Sequence, residues 1–166
     1  LTTERHLDFL PAFRMHGALL ACGAYVEGWA LYSERLSAEM GLYHTPLERF
    51  GAWESEAHRA ARLVVDTGMH AFGWTRQQSI DVLKERAGLS QLEAEIETDR
   101  YLAWPGQALS YMMGQRESKN LRAHLEQRDG DRFDHQAFHD EVIGHGSLPL
   151  DVLRENLPAW VQPRAE

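Results

Sequence analysis

The sequence contains a single cysteine, Cys22, so no internal disulfide framework can form and cysteine-based zinc ribbons are excluded. One thiol is compatible with either the cytoplasm or the periplasm of a bacterium. No run of about 18 apolar residues occurs, and the N-terminal stretch lacks the basic, apolar, small-residue order of a signal peptide. Neither a membrane span nor an export signal is therefore predicted, and the expected chain is soluble. Positive charge is also in short supply: 25 Asp and Glu stand against 17 Lys and Arg, a net charge of -8. That balance argues against a general nucleic-acid or anionic-membrane binder and favours neutral or cationic partners. No Gly-rich phosphate loop and no Gly-x-Ser-x-Gly elbow is present, which leaves nucleotide-binding and serine-hydrolase readings without support. Strand signals are nearly missing too, since the one β-branched cluster, Leu63-Val64-Val65, sits inside a longer helical pattern.

What is present suits one folded domain over residues 1–166, with 43% hydrophobic residues and five Trp in a chain of 166. It begins at Leu1, which suggests a chain processed, trimmed or cut from something longer. The apolar spacing predicts a helix from Arg14 to Met40, closed by Gly41. Thr45-Pro46 opens a second helix that runs towards Ala71 and ends at Gly73. Thr75 with Gln78, and Ser90 with Glu93, read as capping boxes for two shorter helices. Trp104-Pro105-Gly106 breaks the chain before helical spacing resumes from Gln107 to Gln127. Asp134 caps a helix to about Ile143, and Leu148-Pro149 starts the last. The fold class expected is all-α, an irregular bundle of about six or seven helices.

Four places carry candidate chemistry. Glu27-Gly28 lies inside an otherwise apolar helix; the glycine points to close approach of another backbone or a ligand. A carboxylate there needs a partner, either a metal ion or one of Arg59, Arg62 and Arg100. His58, Arg59, Arg62, Asp66 and His70 recur at three- and four-residue spacing, a polar seam that reads as helical ion pairing, with His70 near a helix C-terminus. The segment from Asp99 to Tyr111 collects Arg100, Tyr101, Gln107 and Tyr111 around a helix start. It suits a carboxylate or a developing oxyanion, or simply a Pro-Gly helix start with satisfied tyrosines. His135 and His139 are four apart and could share a regulatory metal, but the glutamate of the zinc-peptidase helix motif is missing and surface histidines fit as well.

Taken in order, the blocks Tyr25-Val26-Glu27-Gly28-Trp29-Ala30-Leu31-Tyr32, Arg59 to His70, Arg100 to Tyr111, Phe138-His139-Asp140 and Gly146 to Leu150 resemble the bacterial family called domain of unknown function 885. That family looks like helical zinc metallopeptidases of the gluzincin type, with full-length members several times longer. The resemblance implies that this chain is the C-terminal part of such a protein, with Glu27 as third zinc ligand. Two histidine ligands and a glutamate base come, in the family, from an upstream His-Glu-x-x-Pro-Gly-His segment, and no His-Glu pair occurs in this sequence. Zinc is thus expected in the intact parent and not in this chain alone, which is expected to be inactive. By the same resemblance, Tyr111 and His70 become the catalytic candidates and Arg100, Tyr101 and Gln107 the substrate-binding ones, with a peptide as substrate. The alternative is a non-catalytic helical interaction or oligomerisation domain, in which an exposed face supports a homo-oligomer.

Overall fold

The computed structural model describes residues 22–163. Among them are seven α-helices and no strand: α1 Gly23–Glu39, α2 Pro46–Phe72, α3 Arg76–Ala87, α4 Gln91–Ala103, α5 Ser110–Asp129, α6 His135–Gly144 and α7 Leu150–Trp160. Short 3-10 turns at Gln107–Leu109 and Gly130–Arg132 precede and follow α5. The all-α class and the helix number are those the periodicity predicts. Residues 14–21, where the first helix was expected to begin, lie outside the described residues.

The described residues divide into two compact units, one comprising 22–29 with 113–163, the other Ala30–Met112. In the second, α2 packs against α3, α4 and the Gln107–Leu109 turn. Its entry is specified locally. The Thr45 hydroxyl accepts the Glu48 N–H at 3.2 Å, while the Glu48 carboxylate accepts the Thr45 N–H at 2.8 Å, and Pro46 supplies a preset φ. Gly73 ends the helix in the left-handed region, φ 69°, where a Cβ would be strained. Reciprocal boxes at Thr75/Gln78 and Ser90/Glu93 start α3 and α4. Ala61, Val65 and Met69 of α2 then meet Ile80, Leu83, Ala94 and Tyr101 in one apolar cluster, with Ala108 of the turn beneath. The one buried polar contact between α3 and α4, among those described, is a hydroxyl pair: Ser79 and Thr98 are 3.1 Å apart.

The first unit buries Leu121 and Leu125 of α5, Phe138 and Val142 of α6, and Leu153 and Leu157 of α7. Tyr25 of α1 donates its hydroxyl to the Val142 carbonyl at 2.6 Å. Helices α1 and α5 touch through glycine: a Cβ on Gly114 would lie 2.7 Å from the Gly28 Cα, and one on Gly28 would lie 2.8 Å from the Gln115 nitrogen. Close approach of another backbone is thus what the helix-interior Gly28 serves. On α5, Glu117 is buried and takes a two-point ion pair from Arg154, at 2.6 and 2.7 Å.

Candidate functional site

Helical spacing of four residues places His58, Arg62, Asp66 and His70 along one stripe of α2. Against it stands the segment that links α4 to α5. Arg62 is only 4% exposed, and among the described residues it forms no ion pair. Its Nη2 donates to the Gln107 side-chain oxygen at 3.0 Å, and its Nε has no hydrogen-bond partner. Two aromatic faces flank the guanidinium, Tyr111 with a ring centre 4.4 Å away and Tyr101 at 5.4 Å. Cation–π attraction offsets part of the desolvation cost, but a buried guanidinium ordinarily keeps an anion beside it.

One turn further along, Asp66 is 2% exposed. Its carboxylate oxygens accept the Gly106 backbone N–H at 3.1 and 3.2 Å, although Gly106 is forty residues away in sequence. This bond holds the linking segment on α2 and so sets where Gln107 sits. His70 follows, with Nδ1 2.9 Å from the Asp66 carbonyl oxygen and 3.2 Å from its carboxylate. Both neighbours are acceptors, so Nδ1 carries the hydrogen, which leaves Nε2 as the nitrogen that can accept or exchange a proton.

Glu97 gathers a second set of groups. The Tyr101 hydroxyl donates to it at 2.5 Å, Arg100 Nη1 at 3.3 Å, and His58 Nε2 stands 3.8 Å away. Burial opposes its ionisation, yet the Tyr101 hydroxyl and the charges of Arg100, Arg62 and His58 prevail and hold it below the usual carboxylate range. Tyr101 is pushed the other way, by burial and by Glu97, and stays a protonated donor. Burial lowers His58 against the pull of Glu97, which favours the neutral ring. A pocket of about 370 Å³ opens beside these residues, lined by Ser55, His58, Arg59, Glu93 and Glu97 with Leu89 and Gly51. Arg59 is drawn to its wall by Ser55, whose hydroxyl accepts from Nη1 at 2.6 Å and donates to Glu34 at 2.9 Å.

Among the residues singled out in the sequence, Arg100, Tyr101, Gln107 and Tyr111 are brought together around Arg62. Arg100 Nη2 reaches the same Gln107 oxygen at 3.4 Å. His70 joins them through Asp66. Glu27 belongs to the first unit, partly buried on α1. His135 and His139 are also in that unit. The first lies edge-on to Phe133, with ring centres 4.8 Å apart, and the second packs edge-on to Trp29 at 5.8 Å. His145 stacks on Trp160 at 3.8 Å and pairs with Glu141 at 2.9 Å. The described residues hold no group of three His, Cys, Asp or Glu that could share a metal ion, so they do not fit a complete zinc site. Arg62 and Asp66 are the members that sequence reasoning passed over as ordinary helical pairing. Only the long-range bonds to Gln107 and Gly106 distinguish them.

No helix among the described residues is long and apolar enough to cross a membrane. Two solved structures resemble the chain over almost its full length. One is described as "the putative lipoprotein from Colwellia psychrerythraea", 41% identical, with TM-score 0.90, covering 96% of this chain and 27% of that one. The other is "a putative lipoprotein of unknown function from Shewanella oneidensis", 29% identical, with TM-score 0.82, covering 93% and 28%. This chain therefore spans little more than a quarter of the solved proteins it matches. No curated protein matches it. A family model matches residues 1–157, and the chain belongs to that family, described as bacterial protein of unknown function, DUF885.

Proposed function

We propose that the chain is the C-terminal portion of a zinc-dependent peptidase, to which it contributes one metal ligand, Glu27, and the residues that hold the substrate. The observation that carries this reading is the convergence of Arg62, Arg100, Gln107 and Tyr111 from four separate elements on one point. Two guanidinium groups with a phenol and a carboxamide suit a carboxylate or the oxyanion that develops in acyl transfer. Tyr111 and His70 act on the reacting carbonyl in this reading, Arg100, Tyr101 and Gln107 on the bound peptide. Asp66 keeps Gln107 and His70 in place. The zinc itself belongs to the longer protein, whose two histidine ligands and base would come from a His-Glu-x-x-Pro-Gly-His segment that this sequence lacks. Solved relatives described as putative lipoproteins support the periplasmic side of the two compartments that the lone cysteine leaves open.

The test uses the full-length natural protein. Purified without added metal, it should carry stoichiometric zinc and cleave members of a peptide panel. Glu27→Gln should reduce zinc occupancy to about a tenth or less, because a catalytic zinc depends on all three of its protein ligands. Tyr111→Phe should keep the metal and lower kcat by about 10²-fold, the loss typical of a removed oxyanion donor. A zinc-free, inactive full-length protein would overturn the reading, as would turnover with stoichiometric zinc by these 166 residues alone.

A second reading, a non-catalytic interaction domain, is favoured by one feature. Leu47, Phe50 and Trp53 repeat every three residues along α2 and are 78%, 59% and 67% exposed, an apolar stripe that a solvated helix rarely shows. Sedimentation of the full-length protein separates the two. A self-association that Trp53→Glu abolishes, in a protein that holds no zinc, would favour this second reading.

A further inference from the structure

Arg62 has a buried charge that no carboxylate among the described residues pairs in direct contact, Glu97 acting on it only from beyond ion-pair distance. Arg62 is 4% exposed, its Nε is unbonded, and its one hydrogen-bond acceptor among the described residues is the neutral oxygen of Gln107. Arg100 turns a second guanidinium on that same oxygen, at 3.4 Å. A carboxamide oxygen carries only a partial charge, so two cations meeting on it is an arrangement that an anion would satisfy far better. Of the two guanidinium groups, Arg100 already has Glu97 at 3.3 Å, while Arg62 has no carboxylate of the described residues within ion-pair distance. Access is not blocked at this point, because Gln107 is only partly buried and Arg100 and Gly106 are exposed.

We infer that the place held by the Gln107 carboxamide is a carboxylate subsite anchored by Arg62, and that its ligand is a peptide's free C-terminal α-carboxylate. The Nε and Nη2 edge of a guanidinium matches the two oxygens of a carboxylate. Binding would move the Gln107 side chain aside, release Arg62 Nη2 to the ligand together with the idle Nε, and let Arg100 Nη2 support it. The flanking rings of Tyr101 and Tyr111 keep the guanidinium dry, and this strengthens its attraction for an anion. This inference rests on the peptidase reading for the identity of its ligand. It adds a substrate class: a peptide anchored by its C-terminal end is cleaved at a set distance from that end, which makes the enzyme an exopeptidase.

The experiment measures binding of an N-acetylated tripeptide, as free acid and as C-terminal amide, to the full-length protein with a chelator present to prevent turnover. The acid should bind at least about tenfold more tightly than the amide, one ion pair's worth at a desolvated site. Arg62→Gln should erase that preference. Gln107→Glu should erase it as well, by filling the subsite from within, and because it supplies the missing anion it should raise the melting temperature, so a lost preference there cannot be blamed on unfolding. Equal binding of acid and amide by the unaltered protein overturns the inference, and so does a preference that survives in either variant. Since the readout needs no metal and no cleavage, a protein found to hold no zinc can still show the preference. Conversely, an active zinc enzyme without the preference does not anchor its substrate by the C-terminal carboxylate, and only the inference falls.

Discussion

At the scale of single residues, identical substitutions should have opposite signs according to what each glycine touches. Gly28 and Gly51 are both inside helices, where Ala outranks Gly by about 1 kcal/mol. Around Gly51 nothing lies within 4 Å of an added Cβ. Gly51→Ala should therefore stabilise the protein by about 0.5–1 kcal/mol. At Gly28 the same methyl would strike the backbone of Gly114 and Gln115, which cannot rotate out of the way as a side chain could. Gly28→Ala should cost about 3 kcal/mol or more, since backbone must shift to admit it. Urea unfolding of the two variants checks this, and equal signs would contradict it. The sequence signals that Gly28 is unusual, because a glycine beside a glutamate in an apolar helix is out of place. It does not signal Gly114 as the partner, for the two are 86 positions apart and only the packing of α1 on α5 joins them.

Elements are where the sequence is most legible, because helix ends are decided by bonds that span three or four residues. Thr75 with Gln78, Ser90 with Glu93, Asp134, Gly41, Gly73 and Gly88 can all be read from spacing, and the structure places a helix end at each. Thr75→Ala and Ser90→Ala should each cost about 1 kcal/mol, with the pair roughly additive, since each removes one acceptor from a different helix start. Thermal unfolding of the two single variants and the double variant measures it. A loss in the double variant no larger than either single one would show that the two ends do not act separately. The link between α4 and α5 is less legible. Its Pro-Gly break is visible in the sequence, but the 3-10 turn at Gln107–Leu109 and the docking of Gly106 on Asp66 depend on a carboxylate forty residues earlier. Arg62 is obscured for the same reason. Its spacing from Asp66 reads as an i, i+4 ion pair, whereas the carboxylate is turned to the Gly106 N–H and the guanidinium to Gln107.

For the whole molecule, titrating groups of α2 and α4 contribute to how stability responds to acid. Burial lowers the His58 ring below its ordinary value of 6.5, so the unfolded chain takes up a proton there before the folded one does. Stability then falls as pH drops below about 6.5, because protonation favours the unfolded state. Glu97 is also lowered, from 4.5: burial opposes the shift, and the Tyr101 hydroxyl with Arg100, Arg62 and His58 outweighs it. For a depressed carboxylate the stabilisation is complete above the unfolded value and is lost as pH falls through the folded one, so its share disappears below about 4.5. Both effects weaken the protein in acid, but in successive windows. Unfolding free energy measured by urea at pH 7.5, 5.5 and 4 should therefore decline in two stages. His58→Gln should flatten the difference between 7.5 and 5.5 and leave the later drop, whereas Glu97→Gln should lower stability at neutral pH and soften the drop below 4.5. Comparing each variant with the parent cancels the other histidines, eight of the nine in the chain. A His58→Gln curve that runs parallel to the parent's from 7.5 to 5.5 would show that the His58 ring titrates alike in the folded and unfolded chains, and that the α2 and α4 environment does not set the molecule's response above pH 5.5.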